Sequence, residues 1–204
     1  MKTITLANSK GGVGKSTLLT NIIGQSILMN YNINFFDMDK QKSLEDWAKK
    51  KKIVEKKISE KTFEKKNFKK NLTCDFLFID TPASIKRKYI NDVVKITDFL
   101  IIPTTGSDID LSATKRFYKR IAKENNKMKI LFILNKIRYS ISEKKIISYV
   151  EKKINNKIFL SLPLTKSFED QFSKGSSIKF SRYSRKNFVE NELIRLIKYF
   201  NNVY

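Results

Sequence analysis

The sequence predicts an α/β fold: a mostly parallel, twisted sheet with helices on both faces. Three observations predict it. Short apolar runs alternate with amphipathic stretches along all 204 residues. A glycine-rich loop separates the first apolar run from the first helical period. Carboxylates close the second and third apolar runs, as at the ligand-facing ends of parallel strands.

The elements follow in order. Residues 2–8 alternate and are rich in Thr, Ile and Leu, which reads as a strand. From Lys15 onward, Leu18, Leu19, Ile22, Ile23 and Ile27 recur at helical spacing, giving a helix over 15–29. Residues 33–38 form the second strand and 43–50 the second helix. Residues 53–72 have no clear period; one short strand and one helix fit there. Residues 76–80 make a third strand and 85–96 a helix. Strands over 99–103, 129–135 and 157–161 alternate with helices over 110–124 and 143–154. A final helix spans 187–200. Neither a repeat nor a linker interrupts the series, so residues 1–204 read as one domain, long enough to bury a full core.

The run Lys10-Gly11-Gly12-Val13-Gly14-Lys15-Ser16-Thr17 carries the chemistry. It satisfies the phosphate-loop pattern, and its strand–loop–helix context makes the fold P-loop NTPase-like. Glycines let the backbone turn sharply and close its N–H groups around phosphate oxygens. Lys15 is placed to reach the β- and γ-phosphates, and Ser16 offers a hydroxyl to Mg2+. The helix N-terminus adds partial positive charge. Lys10 has no role in an ordinary loop. A cation at the loop entrance reaches phosphate charge only if a nucleotide lies in front of it, as in a facing subunit.

Asp37-Met38-Asp39 ends the second apolar run and Asp80-Thr81-Pro82 the third. Asp80 is placed to hold Mg2+ through water, as a Walker-B carboxylate does. Asp39 is placed to orient the attacking water and, with Ser16 and Asp80, completes the oxygen donors available to the metal. The alternative is that Asp37 and Asp39 cap the helix beginning near Ser43.

These motifs resemble the ParA/MinD group of deviant Walker-A ATPases, and within it the small ParF-like partition ATPases. The resemblance rests on residues 8–17, 37–43 and 74–84. It extends to 97–103 with 110–113 and to 162–168 with 174–178, covering nearly the whole chain in order. It implies ATP as ligand, Mg2+ as cofactor and a nucleotide-sandwiched homodimer. Lys10 would act across that dimer, Lys15 and Asp39 would support hydrolysis, and residues Gly11 to Thr17 would hold the phosphates. Asn135 and Pro163 would lie near the adenine, and Asp110 in the switch and interface region. It also implies non-specific DNA binding and a ParB-like or centromere-binding partner that triggers hydrolysis, in plasmid or chromosome segregation. A related reading is an ATPase that positions a protein or membrane-associated cargo. One departure is Lys40, where the family usually has proline; the rigidity that proline gives the backbone is missing there.

Composition narrows the classes. Net charge is +22, which suits a polyanionic partner, yet a lysine-, asparagine- and isoleucine-rich mixture is also what an AT-rich genome imposes. The densest lysine run, from Lys49 to Lys70, is interspersed with Glu55, Glu60 and Glu64. It reads first as a solvated surface and second as a DNA contact. The sparse arginines are better indicators. Arg182 and Arg185, with Lys174, Lys179 and Lys186, cluster near the C-terminus and could bind a phosphate backbone, or be ordinary surface residues. The sequence has no histidine and one cysteine. A His-based triad is therefore excluded, and a reducing, cytoplasmic setting is expected, nucleoid-associated in the ATP state. With the first strand beginning at residue 2, no leader is expected before it. No apolar run reaches membrane-span length. The stripe Phe188, Val189, Leu193, Ile194, Leu196, Ile197 and Phe200 reads as a closing helix packed on the sheet, with a membrane-surface helix as the rival.

Overall fold

The structure is a computed structural model that describes residues 1–51, 72–83, 85–138, 142–164 and 184–202. Its elements run β1 (Lys2–Leu6), α1 (Lys15–Leu28), β2 (Ile33–Asp37), α2 (Ser43–Lys51), β3 (Phe76–Asp80), α3 (Arg87–Ile96), β4 (Phe99–Thr104), α4 (Asp108–Ile121), β5 (Lys129–Ile137), α5 (Glu143–Ile154), β6 (Ile158–Pro163) and α6 (Ser184–Asn202). Strand order is β2-β3-β1-β4-β5-β6. The β2–β3, β4–β5 and β5–β6 pairs are parallel. The expected parallel sheet with interleaved helices is present.

Two compact units divide the chain. The first comprises Met1–Ile4, Ser16–Asp80 and Ser167–Tyr204. Its core is aromatic at the centre. The Phe76 ring lies 4.8 Å from Tyr31, 5.9 Å from Phe78 and 6.2 Å from Phe200, tilted or edge-on as ring quadrupoles prefer. Leu18, Leu19, Ile22 and Ile23 of α1 are buried, as are Leu44 and Trp47 of α2. In α6, Val189, Leu193, Leu196, Ile197 and Phe200 are all buried while Phe188 is exposed. The C-terminal stripe is therefore part of this core, as the closing-helix reading expects. Among the described residues no helix is long and apolar enough to cross a membrane.

The second unit comprises Thr5–Lys15 and Thr81–Lys166. Every residue of β4 is buried, the signature of a strand covered on both faces. Leu100 and Ile102 of β4 pack with Ile90 and Val94 of α3, Phe117 and Ile121 of α4, and Val150 and Ile154 of α5. Tyr118 meets Phe132 edge-on at 5.3 Å.

Most boundaries fall within a residue or two of expectation, and the shifts have local causes. Helix α4 starts at Asp108 rather than residue 110 because Ser107 is its N-cap, accepting from the Asp110 N–H. Strand β5 runs to Ile137, two residues past the expected end, through a left-handed Lys136 (φ 60°). Helix α5 ends where Asn155 turns left-handed at φ 58°. The expectations for residues 53–71 lie outside the described residues, and only Leu72 of that stretch is described.

Candidate functional site

The loop after β1 is anchored at its base by Asn8. This side chain is buried; its Nδ2 donates to the Pro103 carbonyl and to Thr114 Oγ1, each at 2.8 Å, while its Oδ1 accepts from the Lys10 N–H at 3.2 Å. The asparagine thus fixes the direction in which the chain enters the loop. Gly12 and Gly14 have φ of 76° and 86°, a region closed to most side chains. At Gly14 space is short as well: a Cβ there would stand 2.6 Å from Asn135 Nδ2. That approach exists because Asn135 donates to the Val13 carbonyl at 2.9 Å. Beside it, Lys136 Nζ donates to the Gly12 carbonyl, also at 2.9 Å.

The two loop lysines have different surroundings. Lys15 is buried, and its Nζ donates to the Lys10 carbonyl at 3.3 Å across the loop. Lys10 extends from the loop entrance, with its side chain 40% exposed, and pairs with Asp110 at 3.6 Å. Asp110 also accepts from the Thr105 hydroxyl. The first turn of α4 is fixed from α5: Asp108 accepts from the Tyr149 hydroxyl and pairs with Lys153. The Tyr149 hydrogen bond, helped by Lys153, holds the Asp108 carboxyl below the usual range. Lys10 therefore has a partner on a braced segment. Asn135 and Pro163 sit on the adjacent strands β5 and β6, with Pro163 in register with Ile137. The other expected nucleotide residues of this unit, Gly11 to Lys15, make up the loop itself.

In the first unit, Ser16 Oγ donates to Asp80 Oδ2 at 2.6 Å, so the hydroxyl at the start of α1 and the carboxylate at the end of β3 come together. Thr17 follows in the first turn of α1 and is half-buried. Hydroxyl and carboxylate are hard oxygen donors of the kind Mg2+ selects while keeping several waters, so this pair fits that ion. Strands β2 and β3 end in register at Asp37 and Asp80, and the Met38 N–H donates to the Asp80 carbonyl at 3.0 Å. Asp39 lies two residues beyond that pairing.

Of the two residues for which the sequence left capping open, the structure gives the cap of α2 to Asp37. The Asp37 carboxylate accepts from the Asp39 N–H through Oδ1, and from the Leu44 and Glu45 N–H groups through Oδ2. It caps α2 and closes the turn before it. Burial pushes its carboxyl above the usual range, against the pull of those three donors and of Lys42. Asp39 is half-buried at the apex of this turn, its Oδ1 accepting only a local bond from the Gln41 N–H at 3.1 Å among the described contacts. Lys40, which stands where a proline was expected, is exposed. Backbone order in the turn comes instead from Asp37 and from Lys42, whose Nζ donates to the Asp37 carbonyl at 2.8 Å and pairs with Glu45 at 2.9 Å.

Of the expected DNA contacts, Lys174, Lys179 and Arg182 lie outside the described residues. Arg185 and Lys186 fall in the first turn of α6, with side chains outside the described set. Sequence reasoning did not pick out Asn8 as an anchor, nor Lys136, Thr105 and Lys42. Asn8 borders the loop motif and was legible in principle; the others act through contacts that carry no local signature.

Residues 4–178 match the CobQ/CobB/MinD/ParA nucleotide binding domain. The chain belongs to that family. Over 142 residues it is 30% identical to the maintenance of carboxysome distribution protein A of Halothiobacillus neapolitanus; the match covers 65% of this chain and 65% of the relative. Among solved structures, a candidate plasmid partition protein of Borrelia burgdorferi B31 bound to AMPPNP superposes with a TM-score of 0.72 at 19% identity, over 97% of this chain and 99% of that one. MinD in the MinC:MinD cell division complex of Aquifex aeolicus gives 0.76 at 15% identity, over 97% and 96%. The fold is shared with both, and the family is one of nucleotide-binding ATPases.

Proposed function

We propose that this chain acts as one ATPase domain over residues 1–204, switching by ATP-dependent sandwich dimerisation, and that the dimer binds DNA without sequence preference to segregate a plasmid or chromosome. The observation that carries the reading is Lys10. Its side chain is 40% exposed at the loop entrance and pairs with Asp110, while Lys15 is buried in the same loop. A partly exposed cation so placed suits a γ-phosphate in a facing copy.

In this reading Gly11 to Gly14 present backbone N–H groups to the phosphates, Lys15 neutralises the β- and γ-oxygens, and Thr17 adds its N–H at the start of α1. Asn135 and Pro163 border the base. Ser16 and Asp80 would hold Mg2+, with Asp39 nearby. When bound, the ion would neutralise charge developing on the β- and γ-oxygens. Asp39 orients a water so that its oxygen bonds to the γ-phosphorus as the bond to the β–γ bridging oxygen breaks. ADP and phosphate leave, and the proton of the water passes to solvent or phosphate. Lys10 of each copy stabilises the phosphate charge of the other. A ParB-like or centromere-binding partner triggers this step and releases the dimer. Lys174, Lys179, Arg182, Arg185 and Lys186 supply the DNA surface, and the ATP form associates with the nucleoid in the cytoplasm.

A second reading has one observation in its favour, the likeness to a carboxysome-distribution protein. Under it the same switch positions a protein or membrane-associated cargo.

Co-sedimentation with duplex DNA in ATP, in ADP and without nucleotide tests the proposal. Binding should require ATP, be indifferent to sequence and fall steeply with salt. Equal binding with and without ATP at moderate salt would make the +22 charge a property of composition alone, and the cargo reading would replace the segregation reading.

A further inference from the structure

We infer that Lys136 is a positioning residue for the phosphate loop, setting affinity for the β-phosphate by fixing the direction of the Val13 amide. This rests on the nucleotide-site reading above and adds to it a residue outside the loop motif.

The argument begins with strand geometry. Successive side chains on a strand point to opposite faces. Asn135 and Lys136 are consecutive in β5, yet both reach the same loop, on consecutive carbonyls: Val13 at 2.9 Å and Gly12 at 2.9 Å. They can do so because β5 is irregular there. Its register with β6 shifts between Leu134 and Ile137, and Lys136 is left-handed at φ 60°. A bulge with one left-handed residue bends a strand and re-aims a side chain. An L-residue adopts that conformation at a cost that glycine would avoid. At this position the cost comes with a lysine whose amine bonds a backbone oxygen 124 residues away.

The consequence lies in the planar peptide. In a trans peptide the C=O of one residue and the N–H of the next point in opposite directions. Holding the Gly12 carbonyl toward Lys136 turns the Val13 N–H the other way. Holding the Val13 carbonyl toward Asn135 does the same for the Gly14 N–H. Consecutive amides turned to one side make an anion-binding nest. Asn135 and Lys136 thus act as a clip on the carbonyl side of the loop, leaving its amide side for phosphate. Lys136 is the charged half of that clip, and its bond is of the stronger, charge-assisted kind.

The test is calorimetric titration of MgADP into wild type, Lys136→Met, Lys136→Arg and Lys136→Gly, with a melting curve of each without nucleotide. Lys136→Met should weaken MgADP about tenfold or more, the scale of one lost hydrogen bond to a charged group. Lys136→Arg, which keeps a cationic donor, should stay within about threefold of wild type. Lys136→Gly is the discriminating variant. It loses the same bond as Lys136→Met but suits the left-handed backbone, so its melting temperature should equal or exceed that of Lys136→Met, while its MgADP affinity falls as far. Wild-type affinity in Lys136→Met overturns the inference. So does normal affinity in Lys136→Gly, which would make the backbone bend, rather than the amine, the relevant feature. If wild type itself binds no MgADP, the nucleotide reading fails and this inference with it; if wild type binds and the variants match it, only this inference fails.

Discussion

Replacing Lys10 by alanine separates folding from function, because the structure predicts a small effect on one and a large effect on the other. The ion pair lost is 3.6 Å long, and its lysine side chain is 40% exposed. Exposed pairs contribute at most ~1 kcal/mol, and screening at this exposure reduces that to about 0.5 kcal/mol or less. For a chain of this size the melting temperature should fall by only about 1–2 °C. Asp110 keeps its bond from Thr105, so no buried charge is stranded. MgADP affinity should be unchanged, since Lys15 and the loop amides remain. Dimerisation is different. Each copy would lose one charge-assisted contact to the facing phosphate, worth about 1.5–3 kcal/mol. Two such contacts amount to about 3–6 kcal/mol, or roughly two to four orders of magnitude in dimer dissociation constant. Sedimentation velocity with and without MgATP reads this directly. A variant that dimerises on ATP at wild-type concentrations would refute the cross-dimer role. A melting temperature lowered by more than about 5 °C would refute the estimate for the ion pair.

Three further changes test the remaining parts of the site. Lys15→Ala should abolish nucleotide binding in calorimetry, because no other cation of the loop is enclosed with the phosphates; retained ATP affinity would sink the loop assignment. Asp39→Ala should bind ATP and accumulate as a dimer with hydrolysis lost, since the phosphate cradle persists while the water is no longer oriented. A wild-type turnover rate in a phosphate-release assay would reduce Asp39 to a turn residue. Asp37→Ala removes the carboxylate that accepts from the Leu44 and Glu45 N–H groups in the first turn of α2 and from the Asp39 N–H in the turn before it. The cap is worth about 1–2 kcal/mol, so the melting temperature should drop by about 3–6 °C; an unchanged melting curve would show that the turn is held by Lys42 alone.

The sequence by itself determined the alternation of strands and helices, the phosphate loop and the two acidic strand ends. Each is local. Amphipathic periodicity is written in neighbouring residues, and a phosphate is cradled by amides that follow one another in the chain, so a run of eight residues from Lys10 to Thr17 carries its own meaning. Even Ser16 and Asp80, 64 residues apart, were legible as a pair, because parallel strands bring their C-terminal ends to one edge. The roles of Asp37 and Asp39 were not legible in this way. Both precede a helix, and only the folded turn gave Asp37 the cap and left Asp39 at the apex. Tertiary structure alone decided that Asp110 holds Lys10, that Asn8 is tied to Thr114, and that Asn135 and Lys136 meet the loop from one side. The two contacts from β5 depend on strand register and on one left-handed residue in that strand. A lysine entering that conformation leaves no pattern in the residues around it, because the carbonyl it bonds lies 124 residues away in the chain.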